Sequence, residues 1–152
     1  MVKKVFITGI TGMVGSHLLD YLVKKTNWDI YGLIRWRSPL ENINSHIKSI
    51  NSNKRIFLKY GDIREQHSLD SIISDIKPDY VFHLAAQSFP KTSFEMPADT
   101  YETNTIGTSN LLESLRRFKK NAIIHICSSS EVFGRVPKEK LPIDEECTFH
   151  PA

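Results

Sequence analysis

Two short stretches of this sequence hold the residue types and spacings best suited to chemistry. The first is Thr8-Gly9-Ile10-Thr11-Gly12-Met13-Val14-Gly15, which follows the apolar run Val5-Phe6-Ile7 and opens a helical pattern. In that setting Gly9 permits a tight turn, Gly12 admits the backbone close to a diphosphate, and Gly15 lets the helix pack against the sheet. Free N–H groups at the helix start would then hold the phosphates, with Gly9, Thr11, Gly12, Met13, Val14 and Gly15 the candidate cofactor-binding residues of the loop. The second is Ser128-Ser129-Ser130-Glu131-Val132-Phe133-Gly134, at the end of another apolar run. Three hydroxyls can bind a substrate oxygen, and the carboxylate can move a proton. Glu131, beside Val132 and Phe133, is expected to be partly desolvated and raised in pKa. The competing reading is a serine-rich turn capping a short helix.

The residues after the second strand bear on which dinucleotide is held. A site for NAD calls for Asp or Glu about 20 residues beyond the glycines, to hold the ribose hydroxyls. Arg35-Trp36-Arg37-Ser38 stands there instead. Arg35, Arg37 and Ser38 suit a ribose 2′-phosphate, each charge-assisted bond contributing on the order of 1.5–3 kcal/mol. NADP is the expected cofactor, against the plainer possibility of a solvated basic loop. Asp62 can accept from an adenine amino group while Ile63 packs on the ring; alternatively Asp62 caps the helix that comes next. Leu84, Ala85 and Ala86 are small or apolar enough to let a cofactor lie against backbone, with Gln87 and Ser88 next in line to face a ligand.

These groups must be positioned by an alternation of short apolar runs and helical patterns. Val5 to Ile7, Ile30 to Ile34, Arg55 to Tyr60, Tyr80 to Leu84 and Ala122 to Cys127 read as strands. Between them lie a helix with an apolar stripe at Val14, Leu18, Leu19, Leu22 and Val23, a weakly helical stretch at Ile43, Ile47 and Ile50, and a helix over Ser68 to Ile76. A long helix is expected from about Pro97 to Phe118, with a stripe of Tyr101, Ile106, Leu111, Leu112, Leu115 and Phe118. Gly107 inside it costs about 1 kcal/mol against Ala, which close packing on a neighbour would justify. Asn104 could tie that helix to the loop after the fourth strand. Non-alternating strands separated by helices give an α/β fold, a doubly wound parallel sheet of Rossmann type with ligands beyond the carboxyl ends of the strands.

The 152 residues suit one domain, able to bury roughly 68–70% of the unfolded chain's surface. A net charge of +3 with scattered basic residues speaks against nucleic acid. No apolar run approaches the ~20 residues of a membrane span, and Met1 leads straight into a strand without a signal-peptide pattern. The expected location is the cytoplasm. Cys127 and Cys147 have no metal or redox spacing and read as free thiols, Cys127 filling core. His83 and His125, inside apolar strands, read as hydrogen-bonded core histidines and not as metal ligands. His17, Lys24 and Lys25 should face solvent.

Taken together, these residues resemble the extended short-chain dehydrogenase/reductases, and among them most closely the GDP-mannose 4,6-dehydratases. The likeness runs through Ile7 to Gly12, Tyr31 to Arg35, His83 to Ser88, Asn104 to Thr108 and Ser128 to Gly134. It implies a reaction without net redox: hydride leaves C4 of the hexose for NADP⁺, a base removes the C5 proton, water departs from C6, and the hydride returns to C6. Ser129 would hydrogen-bond the sugar 4-hydroxyl and Glu131 would be the C5 base, with Gln87, Ser88 and Ser130 contacting the sugar nucleotide. Related 4-epimerases usually lack that carboxylate, so Glu131 favours the dehydratase. GDP-mannose is the expected substrate and a homo-oligomer the expected assembly.

The sequence departs from that family pattern in four places. Met13-Val14 stands where a Gln-Asp pair is common, Trp36 splits the arginines, and Phe133 replaces the usual Tyr. The family's catalytic Tyr-x-x-x-Lys is expected just after a segment like Phe149-His150-Pro151-Ala152, where this sequence ends. Residues 1–152 are therefore expected to be an NADP-binding Rossmann domain cut before its sixth strand and its carboxyl-terminal substrate domain, inactive alone. An NDP-sugar 4-epimerase, a 4-keto reductase and a non-catalytic dinucleotide-binding module are the other readings.

Overall fold

The computed structural model describes residues 2–52 and 54–151; Met1 and Ala152, the two ends of the expected domain, lie outside them. Its strands are β1 (Lys4–Thr8), β2 (Asp29–Ile34), β3 (Ile56–Tyr60), β4 (Tyr80–His83) and β5 (Ile123–Ile126). All pair in parallel, in the order β3-β2-β1-β4-β5. The chain moves outward from β1 to β3, then crosses back to lay β4 against β1's other side. That reversal opens a crevice at the carboxyl ends of β1 and β4, where such sheets bind ligands.

Helices cover both faces because side chains alternate along each strand. Phe6 joins Leu33, Val81 and the apolar faces of α3 (Gln66–Ile76) and α6 (Gly107–Phe118). Its neighbours Val5 and Ile7 point the other way, into a cluster with Leu19 and Leu22 of α1 (Met13–Lys25) and with Ile43. Ile43 belongs to a 3-10 turn, Glu41–His46, that leads into α2 (Ile47–Asn51). The doubly wound Rossmann-type sheet expected from the sequence is thus the observed fold.

The long helix differs from its expected form. It is a succession of α5 (Pro97–Tyr101), a π-helical turn (Glu102–Ile106) and α6, preceded by a further short helix, α4 (Pro90–Glu95). A π turn rotates the register of the helix beyond it. Leu111 and Leu115 accordingly enter the core while Tyr101, Ile106, Leu112 and Phe118 stay exposed. Val14 is also exposed, in the first turn of α1 before that helix meets the sheet. Pro90 and Pro97 each stand at a first helical position, where a missing N–H costs nothing.

Strand β5 gives the second difference. It pairs with β4 alone among the described residues, and Ile123, His125 and Ile126 are exposed. Cys127, expected in the core, is exposed beyond it, and His125 is likewise no core histidine. Both cysteines are free thiols, Cys147 half-buried. Among the described residues no helix is long and apolar enough to cross a membrane.

Candidate functional site

The glycine loop joins β1 to α1 with its backbone tightly folded. Gly9 has φ +74°, and a Cβ there would lie 2.8 Å from the Ala85 nitrogen and 2.9 Å from the Leu84 carbonyl. A side chain is excluded at Gly9 on both counts, conformation and space. Gly15 is closed from a different direction: its Cβ would strike the Gly9 carbonyl oxygen and sit 2.8 Å from the Ile10 Cα. The close approach expected between helix and sheet is therefore an approach between helix and loop. The N-cap of α1 is Gly12, without a side-chain hydrogen bond, which leaves the first-turn N–H groups facing outward. Asn42, passed over in the sequence, donates its amide to the Thr11 carbonyl at 2.9 Å and braces the loop from outside.

A cavity of about 150 Å³ lies at this loop. Of the residues singled out from the sequence, it gathers Gly9, Thr11, Arg35, Ser38, Asp62, Ile63, Ala85 and Ala86. Arg35 and Ser38 are held in one turn, the Ser38 hydroxyl accepting from the Arg35 N–H at 2.9 Å and the Ser38 N–H donating to the Arg35 carbonyl at 3.0 Å. Arg37, Leu84, Gly12, Met13, Val14 and Gly15 do not line the cavity. Trp36 is 81% exposed and tilts against Tyr60, ring centroids 5.7 Å apart.

Asp62 does not cap α3; Glu65 does, accepting from the N–H groups of His67 and Ser68. Asp62 instead pairs with Arg64, which the sequence reading missed although it lines the same cavity. The Arg64 guanidinium, bonded to the Asp62 carboxylate, holds that carboxyl below its usual range. Gly107 is where a Cβ would come within 2.8 Å of Ile63, so the packing inferred for it is observed.

A second cavity, of about 560 Å³, shares Ala85 and Ala86 with the first and extends past Gln87, Ser88 and Ser129. Asn104 ties the long helix to this loop, accepting from the Gln87 N–H at 2.8 Å and donating to its carbonyl at 2.9 Å. The Gln87 side chain is itself engaged, with Phe89 and Thr100. Ser130 and Glu131 do not line this cavity; they form a short 3-10 turn, Ser130–Phe133, beside it. Ser129 caps that turn, accepting from the Glu131 N–H at 3.2 Å, as the plainer reading of the segment had it. Glu131 is exposed, and Phe133 packs edge-on against Phe149, ring centroids 5.4 Å apart. The desolvation expected for it is absent.

A chain of hydrogen bonds runs from Thr8 to the wall of the second cavity, which His83, Thr108 and Asn104 line. The Thr8 hydroxyl accepts from the N–H groups of Leu84 and Ala85, both at 3.2 Å, so its own proton goes to His83 Nδ1 at 2.7 Å. The ring proton then sits on Nε2, donating to Thr108 Oγ1 at 2.9 Å, and Thr108 donates to the Asn104 carbonyl at 2.7 Å. Only a neutral imidazole fits this count of donors and acceptors. His83 is 3% exposed, and burial pushes it below its ordinary pKa. The unfolded chain therefore binds the extra proton first as pH falls below about 6.5. Stability is full above that value and declines through the acid window, by at most about 1.4 kcal/mol per pH unit. Melting temperatures across that window should fall more steeply for the native sequence than for His83→Gln; parallel slopes would remove His83 from the account.

A Tyr-x-x-x-Lys spacing does occur, at Tyr21 and Lys25, and the sequence reading passed over it. Both lie in the second half of α1, which runs away from the carboxyl ends of the strands, and Tyr21 is 59% exposed. They are remote from both cavities and take no part in them.

The sheet order, the glycine loop and the paired cavities define a Rossmann-type protein of the short-chain dehydrogenase/reductase kind. More narrowly, the chain belongs to the GDP-mannose 4,6 dehydratase family, whose family model matches residues 6–152. It is 35% identical to GDP-mannose 4,6 dehydratase of Drosophila melanogaster, covering 98% of this chain and 38% of that one. It is also 35% identical to GDP-mannose 4,6-dehydratase of Vibrio cholerae, covering 99% and 41%. Among solved structures, UDP-glucose 4-epimerase of Thermus thermophilus in complex with NAD superposes with a TM-score of 0.78 at 25% identity, over 97% of this chain and 44% of that one. The chain thus spans about two fifths of the length of these curated relatives.

Proposed function

We propose that residues 1–152 are the NADP-binding part of a nucleotide-sugar 4,6-dehydratase whose substrate is GDP-mannose. The observation that carries this reading is the convergence of the glycine loop, Arg35 with Ser38, and Asp62 on one cavity, which shares Ala85 and Ala86 with a second cavity lined by Ser129. A dinucleotide fits the residues present: Gly9 and Gly15 are places where a Cβ would collide with backbone, and the helix N-terminus between them presents free N–H groups. In this reading the diphosphate lies against the Gly12 backbone, whose N–H is donated to the Gly9 carbonyl at 3.0 Å, and rests on the N–H groups of Met13 and Val14. Arg35 and Ser38 hold the 2′-phosphate, with Arg37 on the same turn, and Asp62 and Ile63 meet the adenine. Leu84, Ala85 and Ala86 line the path toward the second cavity. Bound there, the dinucleotide would accept a hydride from the sugar and return it.

The chain's own groups supply the rest. The Ser129 hydroxyl orients the sugar 4-hydroxyl, and Ser88, Ser130 and the Gln87 loop contact the sugar nucleotide. With C4 at the ketone level, Glu131 would take the C5 proton and hand it to the departing C6 hydroxyl, which leaves as water. Neither cavity holds a Tyr-x-x-x-Lys pair, so these 152 residues alone should not turn over. We also place the whole protein in the cytoplasm, as a homo-oligomer.

The test is to incubate the whole protein carrying this sequence with GDP-mannose and NADP⁺. Formation of the 4-keto-6-deoxy product without net NADPH is expected. Inversion at C4 without loss of water would make it an epimerase instead, the reading favoured by the structural likeness to UDP-glucose 4-epimerase.

A further inference from the structure

We infer that Arg64 is a positioning residue that sets base selectivity, holding Asp62 so that one carboxylate lone pair is left for an exocyclic amino group. The inference rests on reading the smaller cavity as the adenosine end of the dinucleotide site.

The hydrogen bonds leave little freedom. Asp62 Oδ1 accepts from the Arg64 backbone N–H at 2.9 Å, Oδ2 accepts from Nη2 at 2.8 Å, and the Nε–H is shared between them, 3.1 Å from Oδ1 and 3.3 Å from Oδ2. Three N–H donors thus meet about four acceptor positions of the carboxylate, which leaves about one. Arg64 cannot swing away with the carboxylate, because Nη1 donates to Asp99 Oδ1 of α5 at 2.9 Å. The planar fork fixes Asp62 in both position and rotation, and the tie to Asp99 fixes the fork. A fixed, acceptor-only group accepts from the amino group of adenine and repels the keto oxygen that hypoxanthine carries in its place.

The experiment compares binding of NADPH and of its deaminated, hypoxanthine analogue to the whole protein carrying this sequence. The native protein should prefer NADPH by about tenfold or more, the loss expected for a bond to a charged acceptor. Arg64→Gln should reduce that preference to at most about threefold. Arg64→Lys should do the same, because a single ammonium cannot hold both carboxylate oxygens. If Arg64→Gln does not fold, the ratio in Arg64→Lys decides. Retention of the native ratio, with both nucleotides weakened alike, would reduce Arg64 to a structural role and overturn the inference. A native protein that binds both nucleotides equally would instead overturn the adenosine reading of the cavity, and the inference with it.

Discussion

Glu131→Gln should lower kcat for the whole protein by about 10²–10⁴-fold while leaving NADPH binding unchanged. The substitution keeps the shape of the side chain and removes its capacity to take a proton. Little else should change. Glu131 is exposed, and the hydrogen bond that seats it runs from its backbone N–H to Ser129. Its carboxylate makes one side-chain contact, from the Ser130 hydroxyl at 3.5 Å, which a glutamine oxygen can also accept. The loss should therefore appear in kcat and kcat/KM together, as for an interaction made at the transition state. Turnover retained at the native rate would remove Glu131 from the mechanism.

Gly15→Ala should destabilise the fold by about 3 kcal/mol or more and abolish dinucleotide binding, at the upper end of what overpacking costs. The added carbon meets the Gly9 carbonyl and the Ile10 Cα, both of them backbone, so no side chain can turn aside to relieve it. At about 2–4 °C per kcal/mol for a chain of this size, melting should drop by roughly 6–12 °C. Gly12→Ala is the control. Its Cβ would lie 3.2 Å from the Gly9 oxygen, a contact that a small shift relieves, and its melting point should change far less. Equal stabilities for the two variants would mean that the loop is looser than its geometry indicates.

Much of the architecture was readable because parallel central strands are buried on both faces. Runs such as Val5-Phe6-Ile7 and Tyr80-Val81-Phe82 have no other use in a small domain. The glycine loop, the bond from Asn104 to Gln87 and the packing at Gly107 were readable for a similar reason: each residue type is costly where it stands unless something nearby requires it. What escaped the sequence depends on where elements end up. Periodicity does not say what packs against β5, so Cys127 and His125 were placed in a core that the described residues do not supply. The π turn shifts the helix register by an amount no hydrophobic pattern announces. Arg64 looks like any surface arginine until the fold brings Asp99 to it from 35 residues away. Glu131 was credited with shelter from Val132 and Phe133, yet it is exposed, with Phe133 set against Phe149.

The most direct test is a titration of the whole protein carrying this sequence with NADPH and with NADH under one set of conditions. With Arg35 and Ser38 lining the cavity, and Asp62, the carboxylate among its described lining residues, held by Arg64, NADPH should bind about tenfold tighter or more. Arg35→Ala should erase most of that difference. Equal affinities, or tighter binding of NADH, would contradict the account at its base.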